Sequence, residues 1–206
     1  PAREVSGDFF SFYPHNESIY FIIADVAGKG IHAGMVMAKA STLFEIMSKD
    51  KVDPDEMMFH MNNDLYQTKT AGMFVTCILG EFDLVSEEIR WVNAGHQPAL
   101  IRTQDGKYSE YISSSTPLGV IKHKDKSVYK LEKTKLSSSR FYVFTDGLSE
   151  SLDKNGDEIG VEGSIKIIEN NFRSTGLFNP LKKDAFVQKP DIAHLKPRFE
   201  DWRLIK

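Results

Sequence analysis

The sequence predicts an α+β fold in which antiparallel sheets carry the core and helices are segregated from them. Two observations predict it. Strand-like runs arrive in hairpins and do not alternate with helices, which argues against a doubly wound nucleotide-binding sheet. Helical periodicity is confined to two adjacent segments early in the chain and at least one late. No internal repeat is evident.

Taken in order, residues 9–13 and 19–26 read as two strands joined by the polar turn Pro14, His15, Asn16 and Glu17. After Gly30, apolar residues recur at Met35, Ala38, Leu43, Ile46 and Met47, predicting an amphipathic helix to about Ser48. Asp53 followed by Pro54, Asp55 and Glu56 is a helix start: a capping aspartate, proline in the first turn, and acids at the positive end of the dipole. Met57, Met58, Met61 and Leu65 give that second helix its buried face, read as core and not as a soft binding groove. Residues 73–82 and 87–93 predict a hairpin, and residues 98–103 and 107–112 a second one across Gln104, Asp105 and Gly106. Residues 127–132 and 141–145 add two strands, the serine runs 113–115 and 137–139 are loops, and 161–172 fits a helix. From 173 to 199 the pattern is weak and broken by Pro180, Pro190 and Pro197, and residues 202–206 suit a final strand.

A length of 206 residues suits one domain with a single core, and 41% hydrophobic with 27% charged residues is ordinary globular composition. A net charge of −3 and a pI near 6.1, with lysines and arginines scattered along the chain, give no reason to expect nucleic acid as a partner. The single cysteine, Cys77, lies in an apolar run and reads as a small core residue; it excludes an internal disulfide framework and fits a reducing compartment. No run approaches the roughly 18 apolar residues of a membrane span, and no signal-peptide pattern appears. The start at Pro1, close to a strand, suggests a domain cut from something longer.

The chemistry concentrates in aspartates beside glycines. The run 19–30, IYFIIADVAGKG, ends a buried strand on Asp25 and follows it with a short loop holding Gly28, Lys29 and Gly30. Such a layout serves equally as a site, with a fixed carboxylate and an open backbone, or as a turn in which Asp25 caps the next helix. Asp8 follows Gly7 at the start of a strand, Asp146 ends FYVFT before Gly147, and Glu200 with Asp201 precedes the last apolar stretch. Carboxylates at strand ends beside glycines can converge once sheets pack, and together they would need a cation or a proton, although each aspartate taken alone is more often a turn former. All-oxygen sites suit Mg²⁺ or Mn²⁺, and no His/Cys spacing suggests zinc. Lys29 is a candidate phosphate contact or a solvated loop lysine. His96, in NAGHQP, reads as a residue pinning a loop more readily than as a general acid. Gly28, Gly30, Gly95 and Gly147 serve backbone geometry. The lysine of AGKG lacks the earlier glycine of a Walker loop.

Five blocks in order resemble those of bacterial PPM-type (protein phosphatase 2C-like) serine/threonine phosphatases of the stage II sporulation protein E and sigma-B regulator type. PAREVSGDFF resembles P-x-x-E-V-G-G-D-F-Y; ADVAGKG resembles A-D-V-S-G-K-G; NAGHQP resembles N-A-G-H-P-P; Pro117 to Val120 resembles the P-L-G block; FTDGLSE with residues 156–160 resembles T-D-G-x-x-E…G-E-x-F-G. The resemblance implies an α-β-β-α sandwich of two antiparallel sheets flanked by helices, filling residues 1–206 as the C-terminal part of a longer signalling protein. It implies two Mg²⁺ or Mn²⁺ ions, bridged by Asp25 and also held by the Val26 carbonyl, Asp146, Asp8 and Glu200, with Asp8, Asp25 and Asp146 catalytic. It implies a metal-activated water attacking phosphoserine or phosphothreonine on a partner protein, commonly an anti-sigma-factor antagonist. An upstream sensor domain and a cytoplasmic location go with it, and a homodimer is compatible with it.

The chain departs from the pattern at Ser6, which replaces a glycine, and at Ser11, which replaces an acid. EDWRL stands for D-D-x-T-L, so that Glu200 replaces an aspartate and Arg203 a threonine, and Asp201 takes the ligand role if the register slips by one. An impaired centre would leave a non-catalytic signalling module, the alternative function class.

Overall fold

The computed structural model describes residues 7–68, 72–137 and 139–175, with side chains described to residue 170. The first hairpin joins β1 (Phe9–His15) to β2 (Ser18–Val26). Its turn is shorter than the sequence suggests, because Pro14 and His15 belong to β1 and pair with Ile19 and Ser18. Pro14 is tolerated because β1 is the edge of its sheet, where a missing N–H breaks no second ladder. Next come α1 (Ile31–Lys49), α2 (Pro54–Gln67), β3 (Val75–Asp83) and β4 (Glu88–Ala94). β5 (Ala99–Arg102), β6 (Tyr108–Tyr111), β7 (Glu132–Lys135) and β8 (Arg140–Tyr142) complete the strands, and α3 (Asp146–Ser149) and α4 (Gly160–Thr175) follow. One sheet runs β1-β2-β3-β4-β7 and the other β6-β5-β8, with antiparallel neighbours throughout.

Strand alternation sorts the side chains into layers. From β2, Tyr20, Ile22, Ala24 and Val26 face α1 and α2, whereas Phe21 and Ile23 face the second sheet and meet Ala99, Ile101 and Phe141. The far face of the second sheet, Leu100 and Tyr142, packs on Ile168 of α4. The result is the expected helix–sheet–sheet–helix sandwich, and β2, buried on both faces, is its centre. Each fully buried side chain there, such as Phe21 or Ile22, contributes about 1.5–3 kcal/mol.

Four local expectations are corrected. The buried face of α1 is Ala33, Val36, Ala40, Phe44 and Ser48, while Met35, Ala38 and Ile46 point outward. Apolar residues occupy both sides of this helix, and small residues share the face that meets the sheet. Asp53 holds the cap position of α2, but its carboxylate makes no capping bond and pairs instead with Arg90 of β4 at 3.0 Å. The strand predicted at 127–132 is displaced to Glu132–Lys135. Asp125 accepts a bond from the Ser127 N–H at 2.7 Å and starts a 3-10 turn, Lys126–Val128, leading into buried Tyr129. Pairing of β8 ends at Tyr142, and Asp146 opens α3 where a strand end was expected. Met57, Met58, Met61 and Leu65 of α2 and Cys77 are buried as expected, and burial pushes the Cys77 thiol upward and out of reactive range. The predicted strand at 202–206 lies outside the described residues.

Candidate metal centre

Three chain segments deliver the candidate ligands to one edge of the sandwich. Asp25 is the penultimate residue of β2, held between β1 and β3, with Thr76 as its partner on β3. Asp8 precedes the first pair of the hairpin, Phe9 with Ala24, and so falls level with Asp25. Asp146 follows β8 of the other sheet, as the first residue of α3. The Thr145 hydroxyl donates to Asp8 Oδ2 at 3.2 Å and ties the two sheets together beside the cluster. One carboxylate oxygen from each of Asp8, Asp25 and Asp146 lies within 4.8 Å of the other two. Helix α1 starts at Ile31 with Gly30 at its cap, so Asp25 does not cap it.

Electrostatics at the cluster follow from its geometry. The Asp25 carboxyl is pushed up to about 7, first by burial, then by its hydrogen bond with Asp8 and by the charges of Asp8 and Asp146; the Val26 N–H opposes the shift. Carboxylates this close repel one another unless a proton or a cation sits among them. Their all-oxygen donor set fits a hard divalent ion such as Mg²⁺ or Mn²⁺.

Gly7, which the sequence marks only as the residue before Asp8, borders the cluster. Its carbonyl accepts the Val26 N–H at 3.3 Å. A side chain on Gly7 would begin 2.4 Å from the Val26 carbonyl oxygen and 3.0 Å from Asp25 Oδ1. The Val26 carbonyl and the Asp25 carboxylate therefore border the same small space, and only glycine leaves it open. The available signal was the glycine immediately before Asp8.

Behind the cluster, His96 is buried, with ring Nδ1 2.9 Å from the Thr76 hydroxyl and its backbone N–H donating to Asn93 Oδ1 at 2.9 Å. Burial lowers its pKa to about 4, against the opposing pull of the Asp8 carboxylate. It is a neutral imidazole that pins the loop after β4, as expected of it. Gly95 (φ +69°) packs on Pro117, where any side chain would collide with the ring. Lys29 is exposed on the loop after Asp25. Ser11 pairs with Ile22, three positions along β1 from Asp8 and so roughly 10 Å away. The acid it replaces would stand apart from the three-aspartate cluster. Ser6, Glu200, Asp201 and Arg203 lie outside the described residues.

Comparison with known proteins supplies the family. The sequence profile of stage II sporulation protein E (SpoIIE) matches residues 15–183. Phosphoserine phosphatase RsbU of Bacillus subtilis (strain 168) is 28% identical over 158 residues, 76% of this chain and 46% of that protein. The chain thus spans under half the length of that relative. A stretch of 50 residues, 24% of this chain, is 64% identical to the Tol-Pal system protein TolB of Pelagibacter ubique (strain HTCC1062), of which it covers 11%. Among solved structures, the SiaA-PP2C domain of Pseudomonas aeruginosa superposes with a TM-score of 0.69 at 16% identity, covering 82% of this chain and 68% of that one. The sandwich is that of PP2C-like domains, and the chain belongs to the stage II sporulation protein E (SpoIIE) family.

Proposed function

We propose that this domain is a metal-dependent protein phosphatase that hydrolyses phosphoserine or phosphothreonine on a partner protein. The carrying observation is the convergence of Asp8, Asp25 and Asp146 from three chain segments, with one oxygen of each within 4.8 Å of the others. The name of the RsbU relative, a phosphoserine phosphatase, supports the choice of substrate class. Asp25, Asp8, Asp146 and the Val26 carbonyl would hold Mg²⁺ or Mn²⁺ ions, two by family resemblance. Divalent ions at such a centre supply acidification of water and neutralisation of charge on a phosphoryl group. The chain's own part is to hold three carboxylates rigidly at one edge, with Gly7 leaving the approach open and Lys29 placed on the exposed loop to attract the phosphate. Glu200, the further ligand implied by resemblance, lies beyond the stretch matched by the family profile. A role in a longer signalling protein, with an upstream sensor domain and an anti-sigma-factor antagonist as substrate, is the context this reading favours.

The test is hydrolysis of p-nitrophenyl phosphate with and without Mn²⁺, by the native chain and by Asp25→Asn. Manganese-dependent turnover, reduced at least a hundredfold by the substitution, supports the phosphatase. A folded, Mn²⁺-saturated native chain without turnover would mean a non-catalytic module.

A further inference from the structure

Residues 120–135 carry six lysines against only Asp125 and Glu132, in a chain whose net charge is −3. Lysines therefore concentrate in this stretch, although basic residues are scattered along the rest of the chain. Lys133 and Lys135 point outward from β7, the far edge of its sheet, where lysine guards against edge-to-edge pairing. Lys126 pairs with Asp55 at 3.0 Å, and Lys130 pairs with Glu132. Lys122 and Lys124 are different: both are exposed, and neither makes an ion pair among the described residues. They sit in a segment that also exposes Val120, Ile121 and Val128, each between 41% and 50% accessible.

This segment is braced, although its crest is exposed. Asn62 of α2 donates to the Ile121 carbonyl at 2.9 Å and accepts the Gly119 N–H at 3.0 Å. Asn63 repeats the pattern on His123, donating to its carbonyl at 3.1 Å and accepting its N–H at 3.0 Å. The Ser115 hydroxyl donates to the Val128 carbonyl at 2.9 Å and closes the two arms on each other. Leu118 pairs with Val75, which pairs in turn with Val26, so the segment begins about two strand spacings, roughly 10 Å, from the candidate metal centre. Aliphatic side chains held outward by a fixed backbone bind with little loss of conformational entropy, and three of them within nine residues of one braced segment suit an interaction site.

We infer that the crest formed by Val120, Ile121 and Val128, with Lys122 and Lys124, is the docking surface for the phosphorylated protein substrate, an acidic partner. The inference rests on the phosphatase reading above. Charge complementarity selects the occupant: the approaching group is a phosphate dianion, and the three-aspartate cluster itself repels it until cations are bound. Two lysines without an ion-pair partner among the described residues, on a segment that begins near the centre, steer an anionic protein toward this edge of the domain. The aliphatic crest separates this surface from a plain polyanion site, which would need no such side chains.

The test compares native chain, Lys122→Glu/Lys124→Glu and Ile121→Ser. Phosphorylated β-casein serves as the acidic phosphoprotein and p-nitrophenyl phosphate as the small substrate. All substituted side chains are exposed, so folding is preserved. The expected result is a rise of tenfold or more in the KM for phosphocasein relative to that for p-nitrophenyl phosphate, in both variants. Fluorescence anisotropy with labelled phosphocasein reads docking without chemistry and should show the same loss of affinity. Equal KM ratios and equal affinities across the three proteins overturn the docking surface while leaving the phosphatase standing. Weakened binding in the variants, with no turnover of either substrate by the native chain, keeps the surface and removes the phosphatase. Affinity for a DNA duplex or for anionic phosphatidylserine vesicles equal to that for phosphocasein, and unaffected by Ile121→Ser, marks an unselective basic patch and also overturns the proposal.

Discussion

Gly7 lies so close beneath Val26 that a β-carbon on it would stand 2.4 Å from the Val26 carbonyl oxygen. The contact joins the segment carrying Asp8 to the end of β2 carrying Asp25, so any displacement there alters the spacing of the two carboxylates. Gly7→Ala should cost about 1–3 kcal/mol through forced backbone movement and should weaken Mn²⁺ binding at least tenfold. Urea denaturation and a calorimetric Mn²⁺ titration read the two effects separately. An alanine variant with native stability and native Mn²⁺ affinity would show that the edge relaxes freely.

Asp25 gives the metal-free protein a pH dependence of predictable sign. Its carboxyl is raised from an ordinary value near 3.8 to about 7, so between those values the folded state binds the extra proton. Stability therefore falls as pH rises from about 4 to about 7 and levels off above. In Asp25→Asn this component vanishes, and the difference between the two melting profiles isolates it from other titrating groups. Mn²⁺ competes with that proton, so its affinity should rise with pH up to about 7 and then flatten. A difference profile that is flat from pH 4 to 7 would contradict the crowding of the three aspartates.

How much of this was legible in the sequence depends on the range of the forces involved. β2 announced itself because a strand buried on both faces needs an unbroken apolar run, and IYFIIA is one. The buried face of α2 was legible because its four apolar residues fall at helical spacing with polar residues between them. In α1 the same rule misled: Met35 is 66% exposed while Ala33 and Ala40 are fully buried. Which side of a helix meets the sheet is set by fit as well as by hydrophobicity. Asp53 sat where a cap belongs, but its carboxylate turned to Arg90, a partner 37 positions away that local pattern cannot supply. Asp8, Asp25 and Asp146 stood out as carboxylates beside glycines at strand ends. Their convergence needs the packing of the two sheets, and here the family blocks supplied what spacing could not. Gly7 was missed because its role is an absence of atoms next to Val26, which only the register of β1 on β2 reveals.

Asn62 is fully buried and serves as a surrogate strand, giving one bond to Ile121 and taking one from Gly119. Asn62→Ala leaves both backbone groups without that partner, at about 1–3 kcal/mol. The loss should fall on the braced segment first, appearing as faster amide hydrogen exchange at Gly119 and His123 than at core residues such as Ile22. Uniform acceleration across the protein would mean that Asn62 holds the whole fold and not this segment.

Arg90 is the tether at the other end of the helix pair. It pairs with Asp53 at the start of α2 and, through a short bond, with Glu81 of β3, whose side chain is only 12% exposed. The hydroxyl of Tyr20 lies against the same group and is pushed up to about 12, mainly by burial and then by the charge of Glu81. Removing the guanidinium strands a nearly buried carboxylate, and that penalty exceeds the modest worth of the ion pair itself. Arg90→Met should therefore destabilise the domain by about 1–3 kcal/mol, discounted for the partial exposure of Arg90. Adding Glu81→Gln should recover a good part of the loss, because the stranded charge is then gone. Urea denaturation of the two single variants and the double variant closes the cycle. A double variant less stable than Arg90→Met alone would show that Glu81 stabilises the sheet without needing its partner.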